Sequence, residues 1–138
     1  DSQGTADMSR KTDALGKLER IARLKSDLEM RRFSAFRAHL IAARERVTRI
    51  EGELEAIYRS DSPFSVNEAR LTNAIACEKS QALLTAEADL QRLLPGFDAA
   101  RQRAMREFGR AEVLKNLHAS SAEGDQADRI RKLTNDIG

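Results

Sequence analysis

Apolar side chains recur along this chain in steps that alternate between three and four. The alternation runs without exception from Phe33 through Phe36, Leu40, Ala43, Val47, Ile50 and Leu54 to Ile57. A stripe of this period is a heptad seam, too narrow to face a globular core and suited to one partner helix. A second stripe has the same spacing: Leu83, Ala86, Leu90, Leu93, Phe97, Ala100 and Ala104. One short interruption separates the two. The pattern therefore predicts an all-α fold, a long antiparallel two-helix coiled-coil hairpin.

The first helix is expected over residues 12–59, with Thr12 or Asp13 as its N-cap. Its interior glycines, Gly16 and Gly52, each cost about 1 kcal/mol against Ala. The turn falls at 60–65 (SDSPFS), where Pro63 disfavours helix in the residue before it. Ser65 and Glu68 have the spacing of a capping box that opens a second helix at Val66, with Phe64 placed to staple onto Ala69. That helix is expected to reach His118. Pro95-Gly96 lies within it, yet the heptad frame continues through the pair, which predicts a kink and not a break. In the N-terminal part of the first helix, Ala14, Leu18, Ile21 and Leu28 follow a frame shifted by one residue. The seam is therefore expected to skip near Glu29–Arg32, and a turn near Ser62 would set Pro95 opposite Glu29. Residues 1–11 carry no period and are expected to be disordered, with Met8 a candidate natural start. Residues 119–138 are expected to form a flexible tail, ASSAEGDQ followed by a short amphipathic docking segment with Ala127, Ile130, Leu133 and Ile137.

Composition agrees with this fold class. Charged residues make up 33% of the 138 residues and aromatic residues 4%, with no Trp, as coiled coils do. Cys77 is the sole cysteine, which excludes an intramolecular disulfide and reads as a small helix residue in a reducing compartment. No apolar run reaches the roughly 18 residues of a membrane span. A soluble, cytoplasmic protein is expected, or one peripheral to a membrane apparatus.

The chain offers catalysis no foothold, so no enzyme activity, cofactor, metal or small-molecule substrate is expected. His39 and His118 have no carboxylate, Cys or His at ligand spacing. Glu51, Glu53 and Glu55 are two apart on a helix and do not share a face, so they read as solvated residues around Leu54. No phosphate-binding glycine loop or nucleophile motif is present.

Charge distribution says more than the net +2. Residues 10–37 hold nine Lys/Arg against four acids, and residues 95–118 hold five against three, whereas residues 60–94 carry a net −2. A hairpin would be basic at the end bearing the termini and acidic near the turn. Nucleic acid is disfavoured as a partner, because acids interrupt the basic run and the Phe residues sit on the seam.

The segments LGKLERIARLKSDLEMRRFSAFRAHL and ARQRAMREFGRAEVLKNL have the character of the paired terminal segments of one known family. By these, and by its length and pattern, the chain resembles the flagellar export protein FliJ and its type III secretion counterparts of the YscO type. The resemblance implies a stalk whose open end enters the pore of a hexameric export ATPase and promotes its assembly. The turn end would face the membrane export gate, and the surface would hold export chaperones. Pro95-Gly96 departs from the family's unbroken second helix. Charge and position, not transferred family residues, single out Lys17, Arg20, Arg23, Arg31 and Arg32 on the first helix. On the second they single out Arg101, Arg103, Arg106 and Arg110. The alternatives are a self-assembling structural coiled coil and, more distantly, a nucleic-acid-binding helical protein.

Overall fold

The computed structural model describes residues 2–60 and 65–137. Two helices account for nearly all of them, α1 (Ser2–Arg59) and α2 (Val66–Ile137), packed against each other as an all-α hairpin. Helix α1 ends and α2 begins where the sequence places them. Asp61–Phe64 lie outside the described residues, and with them Pro63 and the expected contact of Phe64 with Ala69. The Ser65 cap is present: the Glu68 amide donates to Ser65 Oγ at 3.1 Å, and the Ala69 amide donates to the Ser65 carbonyl at 3.0 Å.

Both outer boundaries differ from expectation. Residues 2–11 continue α1, and residues 119–137 continue α2. The reason is tertiary: Thr12 of α1 donates to Asp125 of α2 and shares a hydrogen bond with Ser121. Each terminal segment thus has a helix to lie against, and low intrinsic propensity is overridden. The amphipathic pattern near the C-terminus does not turn inward, since Ile130, Leu133 and Ile137 are all exposed.

Contacts divide the chain into two units, Phe33–Ala100 and Asp1–Arg32 with Arg101–Gly138. In the turn unit, 33–100, the helices run antiparallel: Phe33 stacks on Phe97 with ring centroids 5.3 Å apart, and Lys79 bonds Glu53 at 2.6 Å. All eight predicted seam residues of α1 face inward, with Leu40, Ile50 and Leu54 buried. The α2 residues Leu83, Ala86, Leu90, Leu93, Phe97 and Ala100 do the same. Ile50, Leu54 and Ala86 form a cluster with Val47, Ala82 and Leu83 packed around it. Glu53 is not merely solvated, because the seam's edge brings it to Lys79. The hydrogen bond from Lys79 holds its carboxyl below the usual range. Partial burial opposes this, and the charges of Lys79 and Arg49 reinforce it.

The helix runs through Pro95 without a break. Its level in the hairpin is not that of Glu29, because Gly96 meets Phe36. The last turn of α1, at Ala56–Ser60, lies beside Thr72 and Ile75, so α2 is shifted along α1 from the expected pairing. A Cβ at Gly96 would stand 2.8 Å from the Phe36 ring. Gly96 therefore makes room for an aromatic side chain in the seam, and the pair Pro95-Gly96 is a packing feature, not a turn.

Candidate partner-binding surface

All nine basic residues singled out from the sequence belong to the terminal unit, which contains residues 1–32 and 101–138. Its helices also run antiparallel, as Thr12 meets Asp125 and Glu19 meets His118. The inward positions of α1 here are Thr12, Leu15, Glu19, Ala22, Ser26 and Glu29. They continue the three-four spacing of Phe33–Ile57 backwards with no skip, so the expected change of frame near Glu29–Arg32 does not occur. The frame of Ala14, Leu18, Ile21 and Leu28 points outward, with Leu18 51%, Ile21 52% and Leu28 47% exposed. On α2 the matching inward positions are Ala104, Glu107, Ala111, Leu114, His118, Ser121 and Asp125.

This seam is small and polar, and its polar groups meet one another. Asp125, 7% exposed, accepts from Thr12 Oγ1. His118 Nδ1 lies 3.1 Å from Glu19 Oε2, and Arg23 donates to the other oxygen of the same carboxylate. His118 therefore has the carboxylate partner that its sequence neighbourhood lacks, supplied by the opposite helix. Gly16 lets the imidazole in, since a Cβ there would stand 3.1 Å from His118 Nε2. Among the described residues, no buried side-chain nitrogen or oxygen lacks a hydrogen-bond partner.

The two sides of the seam differ in chemistry. A polar groove of about 450 Å³ is lined by Asp13, Gly16, Lys17, Glu19, Arg20, Arg23 and His118. An apolar groove of about 580 Å³ is lined chiefly by Leu18, Ile21, Ala22, Val113 and Leu114, with Lys25 and the Glu107–Arg110 ion pair at its edge. Lys17, Arg20 and Arg23 are thus brought together in the first groove, and Arg110 belongs to the second. Arg32 is bound to Glu29 at 2.8 Å. Arg31, Arg101, Arg103 and Arg106 are exposed. The nine residues share a unit but not a single patch.

Sequence reasoning passed over Lys25 and the outward apolar frame as surface features. The signal was present at a spacing of seven. Lys11, Leu18, Lys25 and Arg32 share one face of α1, with Ala14, Ile21 and Leu28 beside them. Arg103, Arg110 and Leu117 share the corresponding face of α2, with Arg106 and Val113 beside them. No Asp or Glu occupies any of these positions.

Among the described residues, no group of three or more His, Cys, Asp or Glu is placed to hold a metal ion, and no helix is long and apolar enough to cross a membrane. Cys77 is exposed. Compared with family models, curated proteins and solved structures, the chain gives no match. Coiled-coil seams tolerate wide exchange among apolar residues and leave the outer positions unconstrained, so such a sequence carries little that a comparison can hold.

Proposed function

We propose that this chain is a non-catalytic coiled-coil adaptor whose terminal unit docks on acidic protein partners. In its most specific form it is the stalk of a hexameric flagellar or type III export ATPase, with the membrane export gate and export chaperones as further partners. One observation carries the first part. The terminal unit holds sixteen Lys/Arg against twelve Asp/Glu, a net +4, while the turn unit holds eight against ten, a net −2. The excess positive charge sits on exposed side chains, which contribute little to folding and much to the rate and orientation of encounter with an oppositely charged surface. The ATPase itself is supported by the resemblance to FliJ and YscO-type proteins.

Charge reversal tests the proposal. Lys17, Arg20 and Arg31 are exposed and, among the described residues, form no ion pair, so changing all three to Glu leaves far-UV CD and the melting curve nearly unchanged. The same triple variant abolishes stimulation of a purified hexameric export ATPase. Reversal of Glu51, Glu78 and Glu87 to Lys in the turn unit preserves it. Equal behaviour of the two variants removes the case for a docking end.

A further inference from the structure

We propose that the basic-rimmed apolar face of the terminal unit is a docking surface for a partner's amphipathic α-helix, one that carries acidic residues along both flanks of its apolar stripe. The inference goes beyond the ATPase reading and does not rest on it.

The first ground is the groove. Leu18 and Ile21 of α1 face Val113 and Leu114 of α2 across a concave apolar strip of about 580 Å³. An i, i+3, i+4 ridge of a third helix fits such a strip, as helix-in-groove recognition requires. The second ground is unspent surface. The chain exposes 10628 Å², against about 7,200 Å² expected of a compact monomer of its mass. The excess is several times the roughly 800 Å² that one partner contributes to a standard interface. Leu18, Ile21 and Val113 are 51%, 52% and 58% exposed, so the hairpin itself leaves these apolar side chains of the face uncovered.

The third ground, charge, selects the occupant. Lys25 and the Arg110–Glu107 ion pair border the groove, and the heptad positions beyond them add Lys11, Arg103, Arg106 and Arg32, the last paired with Glu29, so basic residues outnumber acidic ones around it. A second copy of the chain would bring these rows against themselves, at a cost in like-charge repulsion. An anionic bilayer would satisfy the charge but has no ridge to fill the groove, and the face carries none of the aromatic residues that anchor helices at a bilayer interface. A Glu-flanked helix satisfies both the groove and its rim.

The test uses the full chain and two fluorescent synthetic peptides. They share one Leu stripe at heptad spacing and differ in having Glu or Lys at every flanking position. Anisotropy at low salt is expected to show the Glu-flanked peptide binding at least about tenfold more tightly than the Lys-flanked one. Leu18→Gln combined with Val113→Gln weakens the Glu-flanked peptide about tenfold or more while CD and melting stay unchanged. Lys25→Glu narrows the preference between the peptides. Leu24→Gln, exposed but outside the face, leaves binding as it was. Four results would overturn the proposal. The two peptides could bind equally, or binding could be indifferent to the Leu18/Val113 change. The chain could sediment as a dimer that this change dissociates, assigning the face to a second copy. Phosphatidylglycerol vesicles could bind through the same residues and displace the peptide, assigning it to lipid.

Discussion

The two units are built from the same heptad geometry and solve different problems with it. In the turn unit the seam positions are Phe, Leu, Val, Ile and Ala, and the outward positions are mostly polar. In the terminal unit the arrangement is partly inverted: Thr12, Glu19, Ser26, His118, Ser121 and Asp125 lie inward, while Leu18, Ile21, Leu28 and Val113 lie outward. Apolar burial is non-directional and contributes about 1.5–3 kcal/mol for each fully buried large side chain. A satisfied polar seam contributes about 1 kcal/mol net per hydrogen bond but fixes register, because each donor must meet its own acceptor. The turn unit is therefore where the fold draws its stability. The terminal unit is aligned rather than strongly held, and keeps its apolar side chains for something outside the hairpin.

The largest effect expected from this difference is a contrast between two leucines. Leu40 is 2% exposed and Leu18 is 51% exposed. Leu40→Ala should cost about 2–4 kcal/mol, the usual range for a buried leucine, and lower the urea midpoint accordingly. Leu18→Ala should stay within about 0.5 kcal/mol, as surface substitutions do. Equal losses would mean that α1 turns Leu18 inward, and the inversion between the units would not exist.

A smaller effect separates the two kinds of seam. Asp125→Ala leaves the Thr12 hydroxyl, which Ser121 also bonds, without its carboxylate acceptor and should cost about 1–3 kcal/mol. Replacing the whole set, Thr12→Val with Ser121→Ala and Asp125→Leu, should recover most of that loss, because no polar group is then left buried and unpaired. Hydrogen exchange at 119–128 reports both outcomes locally. If the triple variant is as unstable as the single one, the polar seam supplies more than register.

These contrasts also show what in the chain was legible beforehand. The apolar seam from Phe33 to Ile57 and its counterpart from Leu83 to Ala104 were readable residue by residue, because hydrophobicity and burial coincide there. The start of α2 was readable because a Ser65 cap acts within four residues. The terminal unit misled the same reasoning for a physical reason. With a polar seam, the apolar frame of Leu18 and Ile21 marks the outside, and following it predicts a skip that the helix does not make. The termini looked disordered because Thr12, Ser121 and Asp125 meet one another across the hairpin, at a separation no local signal encodes. Gly96 read only as half of a kink-forming pair, yet its role depends on Phe36, some sixty positions away. For the candidate surface, the clustering of nine basic residues in one unit was legible from charge counts, and their division between two faces was not.

The smallest effect tests an exposed contact that ties the seam's edge in the turn unit. Glu53 bonds Lys79 at 2.6 Å, and the bond lowers the Glu53 pKa from its ordinary value. A carboxylate with a depressed folded-state pKa binds protons less readily in the folded chain than in the unfolded one. Its contribution is therefore complete above the ordinary carboxylate pKa and is lost as pH falls through the lowered folded value. Both side chains are well exposed, 37% for Lys79 and 40% for Glu53, so solvent screens the pair and the contribution is small. Glu53→Gln should accordingly melt slightly below the parent at pH 7. The gap should persist above the ordinary carboxylate pKa and close as pH falls through the lowered folded value, where the parent loses the charge that the variant never had. About 0.5 M salt at pH 7 should narrow the same gap, since the Debye length then falls to a few ångströms. A gap that is independent of both pH and salt would mean that Glu53 acts through the packing of its methylenes beside Leu54 and Lys79, and the edge of the apolar seam would then be apolar in its energetics as well.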